Sequence, residues 1–300
     1  MSTAESPGPT RSRAATEEKS GAHRDRERPP APEPLPHPVV DNHCHLDIAD
    51  GDWTATADAI AAAAAVGVPR IVQIGCDLPA ARWAVAAAAE HDALVAGVAL
   101  HPNEAPRLAE AGRLDEALAE IERLAATHDK VRAVGETGLD FFRTGEEGRA
   151  VQEESFRFHI DLAKRLGKTL VIHDRDSHED VLRVVDEEGP PARWVMHCFS
   201  GDADVARRCL DRGAHLNFAG TVTFKNAQPL RDALAVTPLD RVLVETDAPY
   251  LAPTPFRGRP NASYLVPLTV RAMAEVLDAD LEELCRAIDA NTDAAFGGRW

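Results

Sequence analysis

Eight short apolar runs, each separated from the next by a segment of helical character, leave this chain few folds to adopt. The runs are Val39-Val40, Arg70 to Ile74, Leu94 to Leu100, Val131 to Gly135, Leu170 to Ile172, Trp194 to Met196, His215 to Ala219 and Val242 to Val244. Strands so continuously apolar belong in a parallel sheet covered on both faces. Helical character runs through Thr54 to Val66, Ala80 to His91, Leu114 to His128, Val151 to Leu166, His178 to Glu187, Asp204 to Arg212 and Gln228 to Ala235, with a further helix from Leu265 to Leu277. Eight alternating units predict a single-domain α/β fold, the (β/α)₈ TIM barrel. Residues 39–300 supply its length, close to the ~250 typical of such barrels. An open doubly wound sheet would not bring the ends of strands one, four, five, six and eight to one point, whereas a closed barrel does.

Residues 1–38 differ in composition. They hold eight prolines, and Leu35 is their only larger aliphatic residue. Such a segment cannot bury enough apolar surface to offset its ordering entropy, so a disordered tail is expected before a metallohydrolase domain at 39–300. Its six basic residues (Arg11, Arg13, Lys19, Arg24, Arg26, Arg28) are matched by six acidic ones (Glu5, Glu17, Glu18, Asp25, Glu27, Glu33), which excludes a simple basic nucleic-acid arm. The barrel therefore carries the whole formal charge of −16. Affinity for nucleic acid without sequence preference comes from neutralising phosphates, so a DNA-coating protein is excluded, while an enzyme admitting a strand end to a local cationic pocket is not. No signal-peptide core or spanning stretch is present, and the five cysteines show no disulfide framework, so a cytoplasmic, membrane-free protein without a stable protein partner is expected.

Six side chains suited to metal binding follow or end these runs: His43, His45, Glu136, His173, His197 and Asp247. On a strand, His43 and His45 share one face and can converge on one cation, which turns Cys44 away as a packing residue. Cys198 stands in the same relation to His197. An H-x-H pair alone is weak evidence, but four further ligands at the ends of the fourth, fifth, sixth and eighth runs are not placed there by chance. Glu136, with two oxygens, is suited to bridge two cations; His173 and His197 complete a second position. Asp247 can bind the first metal and take a proton from an attacking water. Glu245 lies two residues earlier and can share its face, which leaves the division of labour between these carboxylates open.

Asp41 to Asp47, Leu100-His101-Pro102, Gly135 to Phe142, Val171 to Asp176, Met196 to Gly201 and Glu245 to Pro253 with Arg257-Gly258-Arg259 resemble, in this order, the TatD family of metal-dependent hydrolases. Asn291 and Phe296-Gly297 resemble its closing segment. The resemblance implies a site for two divalent cations and hydrolysis of phosphodiester bonds, as a deoxyribonuclease acting on strand ends of single-stranded DNA or other nucleic acid. It implies that His43, His45, Glu136 and Asp247 hold one metal and Glu136, His173 and His197 the other, with Asp247 and Glu136 catalytic. One stretch departs from the family: Asn261-Ala262-Ser263-Tyr264 lacks the usual proline, which bears on substrate preference rather than on the metals.

Two cations lower the pKa of a bridging water and stabilise both the attacking and the leaving oxygen. Arg175 could equally reach a substrate phosphate or stand as a solvated surface cation, and Arg143, Lys225 and Arg257 on neighbouring loops read as surface cations ahead of helpers. His101 is open between a pocket-lining, a structural and a proton-donating role. Phe141, Phe142, Phe199, Phe224 and Tyr250 follow strand ends and could stack on unpaired bases or simply pack. Four imidazoles and two carboxylates suit zinc, manganese, iron, cobalt or nickel better than magnesium, whereas nucleases of the family are usually magnesium-dependent, so metal identity stays open among them. The alternative reading is a hydrolase of small esters, lactones or amides, or a deacylase of nucleic-acid-linked groups. A non-catalytic binding protein is a third, disfavoured by the complete ligand set.

Overall fold

The computed structural model describes residues 8–16 and 21–300. The barrel strands are β1 (Val40–Cys44), β2 (Arg70–Gly75), β3 (Leu94–Val98), β4 (Val131–Asp140), β5 (Thr169–Arg175), β6 (Trp194–Met196), β7 (His215–Phe218) and β8 (Val242–Val244). They pair in sequence order from β1 to β8, every pairing parallel. Closure comes just beyond β8: the Asp247 amide donates to the His43 carbonyl and the His45 amide to the Ala248 carbonyl, at 2.9 and 2.8 Å. The two loops that carry ligands are thereby stitched together.

The helices are α1 (Thr56–Ala64), α2 (Leu78–Glu90), α3 (Glu104–Glu110), α4 (Leu114–Thr127), α5 (Glu146–Leu166), α6 (His178–Glu188), α7 (Ala203–Asp211), α8 (Gln228–Val236), α9 (Val266–Leu277) and α10 (Leu281–Ala295). Local chemistry starts several of them. Asp77, Asp202 and Asp280 accept amide hydrogens of the first turns of α2, α7 and α10. Two helices lie outside the sequence expectation, α3 inside the loop after β3 and α10 beyond α9. The second closes the N-terminal end of the barrel: Arg70 at the start of β2 reaches Asp289 and Asp293 of α10 at 2.5 and 2.7 Å. Above that plug, Val40, Val72, Ile74, Val95, Ala133, Val171, Val195 and Leu243 fill the interior together with Ala295 and Phe296.

The tail expectation falls partly on residues 1–7 and 17–20, which lie outside the described residues. Residues 8–16 and 21–38 form no core of their own, in keeping with their composition, but they are laid along the barrel by polar contacts. Arg11–Ser12 pairs in parallel with Ile48–Ala49. Arg24 makes two bonds to Asp50, at 2.9 and 2.6 Å. The Tyr264 hydroxyl donates to the Pro29 carbonyl and Leu35 is buried. Surface composition cannot reveal that a segment without its own core borrows ion-pair partners from its neighbour.

The fully buried His159 of α5 yields a test of stability. Its Nε2 accepts the Leu100 amide at 3.2 Å and its Nδ1 lies 2.6 Å from the Ser155 carbonyl, so the ring is neutral with its proton on Nδ1. Burial lowers its pKa to about 4. The unfolded ring titrates near ~6.5, so between these values the unfolded chain takes up a proton that the native state refuses. Stability is lost as pH falls through that window, by about 2 kcal/mol at pH ~5 for this group. His159→Gln, which keeps an acceptor for Leu100, is expected to flatten the drop in urea-unfolding free energy between pH ~7 and ~5 by that amount. An unaltered drop would remove His159 from the account.

Candidate metal centre

All the side chains singled out as ligands sit at the C-terminal ends of the strands, where a barrel of this kind gathers its chemistry. Two irregularities aim them. Asp41 lies opposite Ile71 and Cys44 opposite Gln73, so two residues of β1, Asn42 and His43, face one of β2. Gly135 lies opposite Val171 and Thr137 opposite Ile172, which leaves Glu136 without a ladder partner. Such bulges turn a side chain out of the regular alternation. Asp247 takes a left-handed φ of 53°, which aspartate tolerates better than most residues.

Glu136 is the hub. Its Oε2 lies 2.7 Å from His43 Nε2, 3.4 Å from His197 Nε2 and 4.0 Å from His45 Nε2. Its Oε1 lies 3.1 Å from His101 Nε2 and 3.6 Å from His173 Nδ1. Asp247 Oδ1 stands 3.3 Å from His45 Nε2 and 3.9 Å from His43 Nε2. The geometry thus brings together all six expected ligands, and it groups His43 with His45 and Glu136, and Glu136 with His173 and His197. A further grouping of His43, His197 and Asp247 crosses between these two.

Groups behind the ligands fix their orientation. His45 Nδ1 bonds the Ile74 carbonyl at 3.0 Å, turning Nε2 inward. His197 Nδ1 lies 3.2 Å from Glu245 Oε1, which also accepts the Cys198 amide at 2.9 Å. Geometry therefore separates the two carboxylates that sequence left paired: Asp247 faces the histidine cluster and Glu245 stands behind His197, an arrangement that orients metal-binding imidazoles. Burial pushes Glu245 up to about 7 against the opposing pull of His197. Burial would also raise Glu136, but His197, His101, His173 and His43 outweigh it and hold that carboxyl well below its usual range. His43, buried and stacked on His197 with ring centres 3.8 Å apart, is lowered to about 3 by burial first and then by the charge of His197.

Several of these atoms are buried without a hydrogen-bond partner: both ring nitrogens of His43, Oε2 of Glu136 and Nε2 of His173. Buried polar atoms are rarely left so. Side chains that crowd within 4 Å of one carboxylate while these atoms lack a well-directed hydrogen bond fit a divalent cation, and imidazole with carboxylate is a donor set such ions accept.

Asp140 belongs to the site although sequence reasoning assigned it no role. Its Oδ2 lies 3.4 Å from His173 Nε2 and accepts from Asn103 at 2.9 Å, while its Oδ1 accepts the Phe142 and Arg143 amides. With His101 and His173 it forms a fourth donor group. Burial opposes charge on His173, but Asp140 and Glu136 prevail and raise it to about 9. The signal was present: Asp140 ends the strand that carries Glu136, at the end of the barrel where ligands gather. His101 is also settled in place, its Nδ1 accepting the Asn103 amide at 3.0 Å, so that Nε2 carries the proton directed at Glu136.

Around the mouth, Arg175 is exposed and its guanidinium lies 3.9 Å above the ring of Phe142, itself 50% exposed. Arg257 sits 4.5 Å over Phe224 in the same manner, and Arg143 and Lys225 are exposed. Phe199 is buried against Phe218 and packs rather than stacks on a ligand. Asn261 of the departing loop is buried and donates to the Thr246 and Tyr250 carbonyls, tying that loop to the segment bearing Asp247. Cys44 is buried in the core, and neither it nor Cys198 enters the donor groups.

The family described as TatD related DNase matches residues 40–297. The chain belongs to the TatD family. Among its TatD relatives, an uncharacterized metal-dependent hydrolase TatD of Mycobacterium tuberculosis is 47% identical over 238 residues, covering 78% of this chain and 88% of that one. The uncharacterized metal-dependent hydrolase YabD of Bacillus subtilis is 39% identical over 230 residues, covering 76% and 88%. The crystal structure of YJJV, a TatD homolog from Escherichia coli K12, superposes with a TM-score of 0.79 at 27% identity, over 87% of this chain and 98% of that one. Like them, this TatD-family chain is a metal-dependent hydrolase. Among its described residues no helix is long and apolar enough to cross a membrane.

Proposed function

We propose that the chain is a deoxyribonuclease that hydrolyses phosphodiester bonds at the ends of single-stranded DNA, with two divalent cations held by His43, His45, Glu136, His173, His197 and Asp247. The observation that carries this reading is the convergence on Glu136 of buried, unpartnered donors beside a cation stacked on an exposed aromatic ring, Arg175 on Phe142. The family's description as related to a DNase supports it. When bound, the cations would make a water acidic enough to attack near neutral pH and would offset charge on the phosphate.

The chain's own groups do the rest. Asp247, held ionised despite burial by His45, His197 and His43, accepts the proton of the attacking water. His101 Nε2–H lies 3.1 Å from Glu136 Oε1 and turns toward the same centre. Arg175 meets the substrate phosphate while Phe142 offers a face to an unpaired base, a combination suited to single strands. The acidic surface favours the second reading, a small ester, lactone or amide as substrate, because a net charge of −16 repels long polyanions.

End-labelled single-stranded DNA incubated with the protein and magnesium, manganese or zinc separates the two. Stepwise shortening that requires metal is expected. Intact DNA alongside hydrolysis of members of an ester and lactone panel would move the assignment to the second reading and leave the metal centre in place.

A further inference from the structure

Residues 8–16, ahead of the family match that begins at residue 40, lie against the mouth of the site. Thr10 to Arg13 run alongside Asp47 to Ala49, the continuation of the loop that carries His45: the Thr10 amide donates to the Asp47 carbonyl and the Arg13 amide to the Ala49 carbonyl, each at 2.8 Å. The Thr10 hydroxyl also donates to Asp47 Oδ2 at 2.6 Å. Residues two apart on a strand share a face, so Arg11 and Arg13 point the same way. Arg13 donates to the Pro249 carbonyl at 2.8 Å and its guanidinium lies 4.7 Å over Tyr250, whose ring is 6.3 Å from that of His45. Arg11 extends toward Asp77 at 4.0 Å, on the loop after β2. Cys76, the neighbour of Asp77, lies 3.7 Å from His45 Nδ1. The shared face of this strap therefore spans the loops after β8 and β2, on either side of the loop bearing His45.

The charge on this face is segregated. Asp50, only 1% exposed, is shared by three guanidiniums, those of Arg13 at 3.0 Å, Arg24 at 2.6 Å and Arg26 at 3.8 Å. One carboxylate cannot neutralise three cations. Among the described residues of the same segment, the acids turn elsewhere, Asp25 and Glu27 to Arg259 and Glu33 to Arg271. Asp47 is engaged by Thr10 and Gln73, and Asp77 caps α2. Among the described residues of this face, Arg11, Arg13, Arg24 and Arg26 stand against Asp47, Asp50 and Asp77, which leaves one positive charge in excess near the ligand His45 in a chain of net charge −16.

We propose that residues 8–16 form a second wall of the substrate mouth, in which Arg11, its side chain 44% exposed, binds a backbone phosphate of the strand away from the scissile bond, with Arg13, Arg24 and Arg26 holding the wall on Asp50. This inference rests on the nuclease reading. The ligand is a phosphodiester chain of more than one phosphate. A substrate with a single phosphate engages the metal centre without reaching the wall.

The experiment compares a single-stranded oligodeoxynucleotide with bis(p-nitrophenyl) phosphate, a diester with one phosphate, on the full chain and on Arg11→Ala, Arg11→Lys and Arg286→Ala. Arg11→Ala is expected to raise KM for the oligonucleotide about tenfold, so that preference for it over the small diester falls by the same factor, and to reduce the salt dependence of log KM by roughly one phosphate contact, a slope change of ~0.7. Arg11→Lys restores most of the preference, and Arg286→Ala on the distant surface of α10 leaves it intact. Equal losses on both substrates, or an unchanged preference and salt slope, overturn the proposal while the nuclease reading stands. An unsubstituted protein that hydrolyses the small diester and never the oligonucleotide overturns the nuclease reading itself, and the wall with it.

Discussion

Glu136→Gln is expected to lower the turnover of any substrate by about a thousandfold, equivalent to about 4 kcal/mol of barrier, and to leave the purified protein short of metal. The carboxylate has five imidazoles within 4.0 Å, from His43, His45, His101, His173 and His197, and it is the residue common to the group with His43 and His45 and the group with His173 and His197. Glutamine has nearly the same shape but no charge, and one of its two terminal atoms is a donor rather than an acceptor. It can therefore bridge nothing on that side. Folding should survive, because the buried imidazoles that lose their counter-ion can give up their protons instead of remaining uncompensated charges. The check is metal content by elemental analysis beside turnover and thermal midpoint. A variant that folds, keeps its metal and retains a tenth of the activity would show that Glu136 is not the bridge. The same measurement on Asp247→Asn separates holding metal from moving a proton: retained metal with lost turnover is the signature of the second.

Much of this arrangement is legible in sequence because the physics behind it is local. Continuous apolar runs mark strands buried on both faces, and all eight runs became strands with bounds shifted by a few residues. The ligands are legible because each ends such a run, and parallel strands of a barrel deliver their ends to one place. What sequence left open depends on contacts between distant segments. Glu245 and Asp247 share a strand end, and only the packing of His197 against Glu245 distinguishes them. Asp140 has its meaning from His173, on the next strand. The N-terminal segment is the sharpest instance: its charges sum to zero along the chain, yet the fold turns its arginines toward Asp50 and the mouth and its described acids toward Arg259 and Arg271. A sum over residues carries no information about which face each charge occupies.

The largest stability effect is expected at a residue without a side chain. Gly138 lies on β4 between Glu136 and Asp140, opposite His173 of β5, with a φ of 133°. A Cβ built there would stand 2.1 Å from the His173 carbonyl oxygen and 3.1 Å from its backbone carbon and nitrogen. No rotamer relieves that clash, because the obstructing atoms are backbone. Either β4 and β5 separate at the point where Glu136, Asp140 and His173 meet, or the glycine's φ moves and takes the bulge at Glu136 with it. Gly138→Ala should therefore cost about 4 kcal/mol, in the range reserved for core disruption, and abolish activity in whatever protein remains folded. Gly112→Ala is the control, since Gly112 also has a positive φ, of 68°, but nothing within 4 Å of the added atom. It should lose only about 1 kcal/mol, the strain of a left-handed alanine. Urea unfolding of both variants decides the matter. If the two are equally stable, backbone strain alone accounts for Gly138 and the close approach of β4 to His173 does not hold the site together.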